Sequence, residues 1–158
     1  MVLHNIPPVY DSFSKILMLG SFPSVKSREE GFYYAHKQNR FWRMLSEVFG
    51  VPLPLSVEEK KKLLLSHGVA LWDVTESCEI EGSSDSSIKN VKVNDVKKLI
   101  DECGIHKIIA NGGKAFALYN EYLKSETGIE ALRAPSTSPA NAGITFEKLV
   151  NEWRKLII

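Results

Sequence analysis

Four short apolar runs, spaced widely along the chain, constrain its fold more than any other feature. They are Lys15-Ile16-Leu17-Met18-Leu19-Gly20, Gly68-Val69-Ala70-Leu71-Trp72-Asp73-Val74, Lys107-Ile108-Ile109-Ala110-Asn111-Gly112-Gly113, and a weaker fourth over 129–134 that leads into Pro135. Continuous apolar runs of this length suit strands covered on both faces, where every side chain meets protein rather than water. Between them lie helical patterns over 39–49, 56–66, 94–102, 114–124 and from about 145 to the C-terminus, the second with Glu58 and Glu59 in its first turn. Strands alternating with helices predict an α/β fold, a three-layer αβα sandwich around a central, mainly parallel four-stranded sheet. In such folds ligands bind beyond the carboxyl ends of the strands. That rule selects four loops: 21–38, 75–88, 111–114 and 135–143.

At 158 residues the chain is expected to form a single domain over 1–158, long enough to bury a core without disulfides or metals. Hydrophobic residues at 44% and charged residues at 25% argue against a disordered chain. No apolar run approaches the roughly 18 residues of a membrane span, and residues 1–10 lack the pattern of a signal peptide, so a cytoplasmic location is the default expectation. Cys78 and Cys103 lack metal or cluster spacing, and His4, His36, His67 and His106 are scattered, so neither a metal nor a cofactor is expected. A net charge of +1 neither announces a nucleic-acid partner nor excludes one, because backbone N–H groups and hydroxyls hold phosphates without formal charge.

The loops carry the chemistry. The first opens with Gly20-Ser21-Phe22-Pro23-Ser24 and continues to Gln38, a connection of about 18 residues, which is uncommon in a compact domain unless it is functional. The second contains Gly82-Ser83-Ser84-Asp85-Ser86-Ser87-Ile88, and the fourth reads Pro135-Ser136-Thr137-Ser138-Pro139-Ala140-Asn141. Ser, Gly and Pro are ordinary turn residues. Three hydroxyl-rich loops on one face of a sheet nevertheless favour a ligand that bears anions. The Asn111-Gly112-Gly113-Lys114 segment lacks phosphate-loop spacing and reads as a tight strand-to-helix turn. The stripe Phe41, Leu45, Val48 and Phe49 reads as core, as do Trp42 and Trp153. From spacing alone Asn39 reads as a helix N-cap, Tyr33 and Tyr34 as loop aromatics folded onto the core, and Asp73 as a cap, a loop brace or a ligand contact.

Taken in order, the GSFPS, GFYYAH, NRFW, GSSDSSI and PSTSPAN segments resemble the hypoxanthine-DNA glycosylase branch of the uracil-DNA glycosylase superfamily. A related branch, the mismatch-specific uracil and thymine glycosylases, has Gly-Ile-Asn-Pro-Gly as its first motif, so Phe22 stands where that branch has its water-positioning asparagine. The resemblance implies a uracil-DNA glycosylase-like fold and passes the catalytic role to Asn39, whose amide would hold water against the sugar of a nucleotide flipped out of the duplex. It implies a base pocket of Gly20, Ser21, Phe22, Pro23, Tyr34 and Asp73, with Tyr34 stacking on the base and Asp73 a candidate reader of its edge. It assigns DNA contacts to Ser24, Lys26, Arg40, Ser84, Ser86, Ser136, Ser138 and Asn141, with the fourth loop pressing into the duplex.

The expected activity is hydrolysis of the N-glycosidic bond of a deaminated base, hypoxanthine first, by a monofunctional enzyme without strand cleavage. The expected partner is DNA containing a damaged base, with no membrane, no obligatory protein partner and monomeric action. The alternatives are a uracil or mismatch-specific glycosylase and, from another class, a non-catalytic nucleic-acid-binding module.

Overall fold

The computed structural model describes residues 1–158. Its elements in chain order are β1 (Val2–Leu3), β2 (Ile16–Gly20), α1 (Val25–Glu30), α2 (Phe41–Phe49), α3 (Val57–Ser66), β3 (Val69–Asp73), β4 (Thr75–Glu79), β5 (Lys89–Val93), α4 (Val96–Cys103), β6 (Lys107–Asn111), α5 (Gly113–Tyr122), α6 (Lys124–Thr127), β7 (Ala131–Ala134) and α7 (Phe146–Ile157). No helix is long and apolar enough to cross a membrane.

The four apolar runs become one parallel sheet in the order β3-β2-β6-β7. Because successive side chains of a strand point to opposite faces, each run feeds two cores. Met18, Val69, Leu71 and Ile109 pack on one side against Phe41, Met44 and Leu45 of α2, Leu63 and Leu64 of α3, and Leu149, Val150 and Trp153 of α7. Leu17, Leu19, Ala70 and Ile108 pack on the other side against Val96, Leu99 and Ile100 of α4 and Leu118 and Tyr119 of α5. Helices cover both faces, which makes the expected three-layer sandwich.

Local signals set the helix starts. Ser56, Asp95 and Thr145 each accept a backbone N–H three residues on, from Glu59, Lys98 and Lys148, satisfying donors that a first turn leaves free. Gly112 precedes α5 at φ 95°, a conformation that favours glycine, and a Cβ there would also press on Ser136.

Two expectations need correction. The first loop is not irregular throughout: α1 forms inside it, capped by Ser24, whose hydroxyl accepts the Ser27 N–H, and ended by Gly31 at φ 74°. The second loop begins as a strand. β4 lies between β1 and β5 in a separate antiparallel sheet, with Val2 opposite Cys78 and Thr75 opposite Val93. One side of this small sheet packs Phe22, Cys78 and Ile88 together, which fixes the GSFPS turn from outside the main core.

The C-terminal helix also reaches the ligand edge of the sheet. Trp153 is fully buried, meets Phe41 edge-on at 6.1 Å, and donates its indole N–H to the carbonyl of Pro135 at 2.9 Å. Trp153→Ala is expected to cost about 3–5 kcal/mol of folding stability, since it opens a cavity and strands that carbonyl. Urea denaturation of the two proteins measures the difference.

Candidate active site

The carboxyl ends of the four strands lie together: Gly20 is in register with Asp73, and Asn111 with Ala134. The loops that follow them enclose a cleft of about 360 Å³, within the size range of sites for small ligands. Six residues expected as a pocket, Gly20, Ser21, Phe22, Pro23, Tyr34 and Asp73, all line it, as do Asn39, Ser24, Ser136 and Ser138. Loops one, two and four thus converge on one opening.

Gly20 forms part of the floor because it lacks a side chain. A Cβ there would overlap the Asp73 carboxylate and stand 3.0 Å from the Tyr34 hydroxyl. Beneath it, Asp73 is 3% exposed and its Oδ2 accepts a hydrogen bond from His4 Nε2 at 2.8 Å. Asp73 therefore caps no helix; its backbone carbonyl accepts the Asn94 amide at 2.9 Å.

Tyr34 forms the wall. Its ring stacks on Phe41 with centroids 4.2 Å apart, and its backbone takes φ 53°, a left-handed conformation that is strained for an aromatic residue. Neighbouring contacts hold it there: Trp42 donates to the carbonyl of Tyr33 at 3.0 Å, and the Ala35 N–H donates to the buried Ser27 hydroxyl at 3.1 Å. The Tyr34 hydroxyl is buried and has no hydrogen-bond partner. Asn111 lies nearby, but both ends of its amide serve Thr137, Nδ2 donating to Oγ1 and Oδ1 accepting the backbone N–H, each at 3.0 Å. Burial, and then the Asp73 carboxylate, push the phenols of Tyr33 and Tyr34 far above their ordinary range, so both remain protonated.

Asn39 sits at the mouth of the cleft, and its Oδ1 accepts the N–H of Phe41 at 2.9 Å. The residue that immediately precedes α2 is Arg40, which makes no side-chain cap, so Asn39 supplies the bond that starts the helix. A carbonyl oxygen has two lone pairs. One is spent on Phe41, which fixes the amide in direction, and the other is available to a water molecule.

Several expected phosphate contacts have other duties. Arg40 donates NH1 to the carbonyl of Ile144 at 2.7 Å and NH2 to that of Asn141 at 3.0 Å, so it braces the fourth loop. Asn141 is likewise engaged, its amide donating to the carbonyl of Ser136 at 3.0 Å. Lys26 pairs with Glu30 on α1 and does not line the cleft. Ser84 and Ser86 bond to each other at 3.0 Å outside the cleft; Ser86 lines an adjoining depression with Lys114, Arg133 and Asn141.

Among the residues at or beneath the cleft that sequence reasoning missed are Asp85, Asn111 and His4. Asp85 accepts the Ser21 hydroxyl at 2.7 Å and lines both depressions. The residue as a whole is exposed, but its carboxyl tip is enclosed. Burial raises its pKa, with the Ser21 bond and Lys114 pulling the other way. It lies in the quoted GSSDSSI segment, so a signal existed. Asn111 had been read as turn chemistry. His4 carries no local signal, being 69 residues from the aspartate it contacts.

Gly20→Ala is expected to destabilise the fold by about 1–3 kcal/mol through overpacking, and to displace the Asp73 carboxyl; urea unfolding and a structure of the variant test both. Tyr34→Phe is expected to leave stability unchanged or raise it by up to about 1 kcal/mol, because the hydroxyl it removes forgoes water without gaining a partner. The same denaturation measurement checks that sign.

The chain is similar to known proteins over almost its whole length. The model of the Uracil DNA glycosylase superfamily matches residues 7–156. A hypoxanthine DNA glycosylase from Methanosarcina acetivorans is 34% identical over 154 residues, 97% of this chain and 96% of the relative. One from Methanosarcina barkeri is 32% identical over 142 residues, 89% of each. The solution NMR structure of a candidate uracil DNA glycosylase from Methanosarcina acetivorans superposes with a TM-score of 0.85 at 33% identity, covering 99% of this chain and 97% of that one. On this near-complete match to the family model and to relatives above 30% identity, the chain belongs to the uracil DNA glycosylase superfamily.

Proposed function

We propose that the protein is a monofunctional DNA N-glycosylase that hydrolyses the bond between deoxyribose and hypoxanthine, with Asn39 positioning the attacking water. The observation that carries this reading is an uncharged amide with one lone pair engaged by the Phe41 N–H, at the mouth of a cleft bounded by an aromatic wall. The two Methanosarcina relatives, which bear the name hypoxanthine DNA glycosylase, support the choice of base.

Departure of a base leaves positive charge on the sugar and negative charge on the base. Water needs little activation against so electrophilic a carbon; it needs a fixed position, which an amide oxygen provides. Asn39 acts in this way, by holding water rather than by taking a proton. The charge that grows on the base is met by N–H dipoles of the turn over 21–24, already ordered by the Ser21–Asp85 bond and the Ser24 cap.

The target nucleotide is extruded before reaction. Tyr34 stacks on the flipped base, with Phe22 along the same cleft, and Gly20, having no side chain, admits the Asp73 carboxylate to the floor. Ser24, Ser136 and Ser138 line the cleft and contact the DNA backbone, and the fourth loop enters the gap left by the base. Lys114 and Arg133, in the adjoining depression, take the place of Lys26 and Arg40 as the cations nearest the strand.

Base release from a duplex containing deoxyinosine tests the reading. The wild-type protein should yield free hypoxanthine and an intact abasic strand; release of uracil alone from a matched uracil duplex would reassign the substrate. Asn39→Ala should slow release by about 10²–10⁴-fold while costing only about 1 kcal/mol of stability through the lost cap. A folded variant that releases base at the wild-type rate would leave Asn39 with its capping role alone.

A further inference from the structure

The histidine beneath the cleft has only one way to meet its neighbours. The Ile6 N–H donates to His4 Nδ1 at 3.3 Å, so that nitrogen bears a lone pair and the ring proton resides on Nε2. Nε2 faces Asp73 Oδ2 at 2.8 Å, and the two side chains are 3% and 4% exposed. The ring cannot turn over freely, since it lies edge-on to Phe22 with centroids 6.0 Å apart and tilted against Tyr33 at 6.1 Å. The N-terminal segment is itself anchored, the backbone N–H of His4 donating to the carbonyl of Glu76 at 2.7 Å.

A histidine held as a donor dictates what position 73 can show it, which is an acceptor. Asp73 satisfies that demand with Oδ2 and has an identical oxygen left over. Oδ1 lies against Gly20, in the position that a Cβ there would take, and Asp73 lines the cleft.

We infer that His4 is a positioning residue for base selection: by holding Oδ2 it presents Asp73 Oδ1 as a hydrogen-bond acceptor to the ring N–H of a lactam base. The inference rests on the reading of the cleft as a base pocket and extends it to the atom that is recognised. Hypoxanthine carries a hydrogen on N1, beside its carbonyl. Adenine has a lone pair at the same position, which a carboxylate oxygen repels. Adenine and its deamination product are thereby told apart by one hydrogen atom, because a buried polar group left facing its own kind is costly.

Single-turnover release of hypoxanthine separates this role from a structural one. In D73N the histidine still requires an acceptor, so the amide oxygen turns to His4 and its NH2 meets the base N–H donor to donor; release should fall by about 10²-fold or more. In H4Q/D73N the glutamine can accept the NH2, returning the amide oxygen to the cleft, and release should recover at least about tenfold over D73N. Release by D73N at the wild-type rate, or a folded double variant no faster than D73N, overturns the inference. Nitrogen-15 shifts of the His4 imidazole in the wild-type protein give a second decision without variants or activity. A proton on Nε2 alone is the expected result, and a proton on Nδ1 overturns the inference. Failure of wild-type protein to release any base would instead remove the glycosylase reading, with the imidazole spectrum still deciding the His4–Asp73 pair.

Discussion

The pairing of Gly20 with Asp73 across β2 and β3 is the constraint around which the site is built. Parallel register brings the ends of two buried strands level, and only a residue without a side chain allows the carboxylate beside it to occupy that position. A cleft floor made this way is rigid, because it belongs to a sheet packed on both faces rather than to a loop. The surrounding loops then need only be held against that floor.

They are held by hydrogen bonds from side chains that reach from one segment to another. Ser21 meets Asp85, Asn111 meets Thr137, and Arg40 clasps the carbonyls of Asn141 and Ile144. Such bonds are worth about 1 kcal/mol apiece, so their value lies in shape more than in stability. They also explain why several polar residues in the motifs make poor candidates for direct contact with DNA, since their donors are already committed within the protein.

The main sheet was legible in the sequence because strands buried on both faces must be apolar throughout, and Ile16–Gly20, Val69–Asp73 and Lys107–Asn111 are nearly so. The small antiparallel sheet was not. Thr75–Glu79 and Lys89–Val93 are mostly polar, and no residue of the second is fully buried, a pattern that loops share. The six-residue helix Val25–Glu30 is too brief to show a period. In the cleft, the motifs point to lining residues but not to their internal partners: the bracing by Arg40 has no local signal because its carbonyl partners lie more than 100 residues away. The position of His4 depends on the small sheet that went unseen, so no local pattern announced it.

An unbroken line of aromatic contacts runs from Tyr34 to Phe41, from Phe41 to Trp153, and through the indole N–H to the carbonyl of Pro135. The two surfaces at its ends are the Tyr34 wall of the cleft and the root of the fourth loop. Phe41 meets Tyr34 face to face and Trp153 edge-on, so packed rings join the two as a beam joins the jaws of a calliper. On the glycosylase reading proposed above, the opening that a flipped nucleotide meets is set by packed rings rather than by a loop free to follow it.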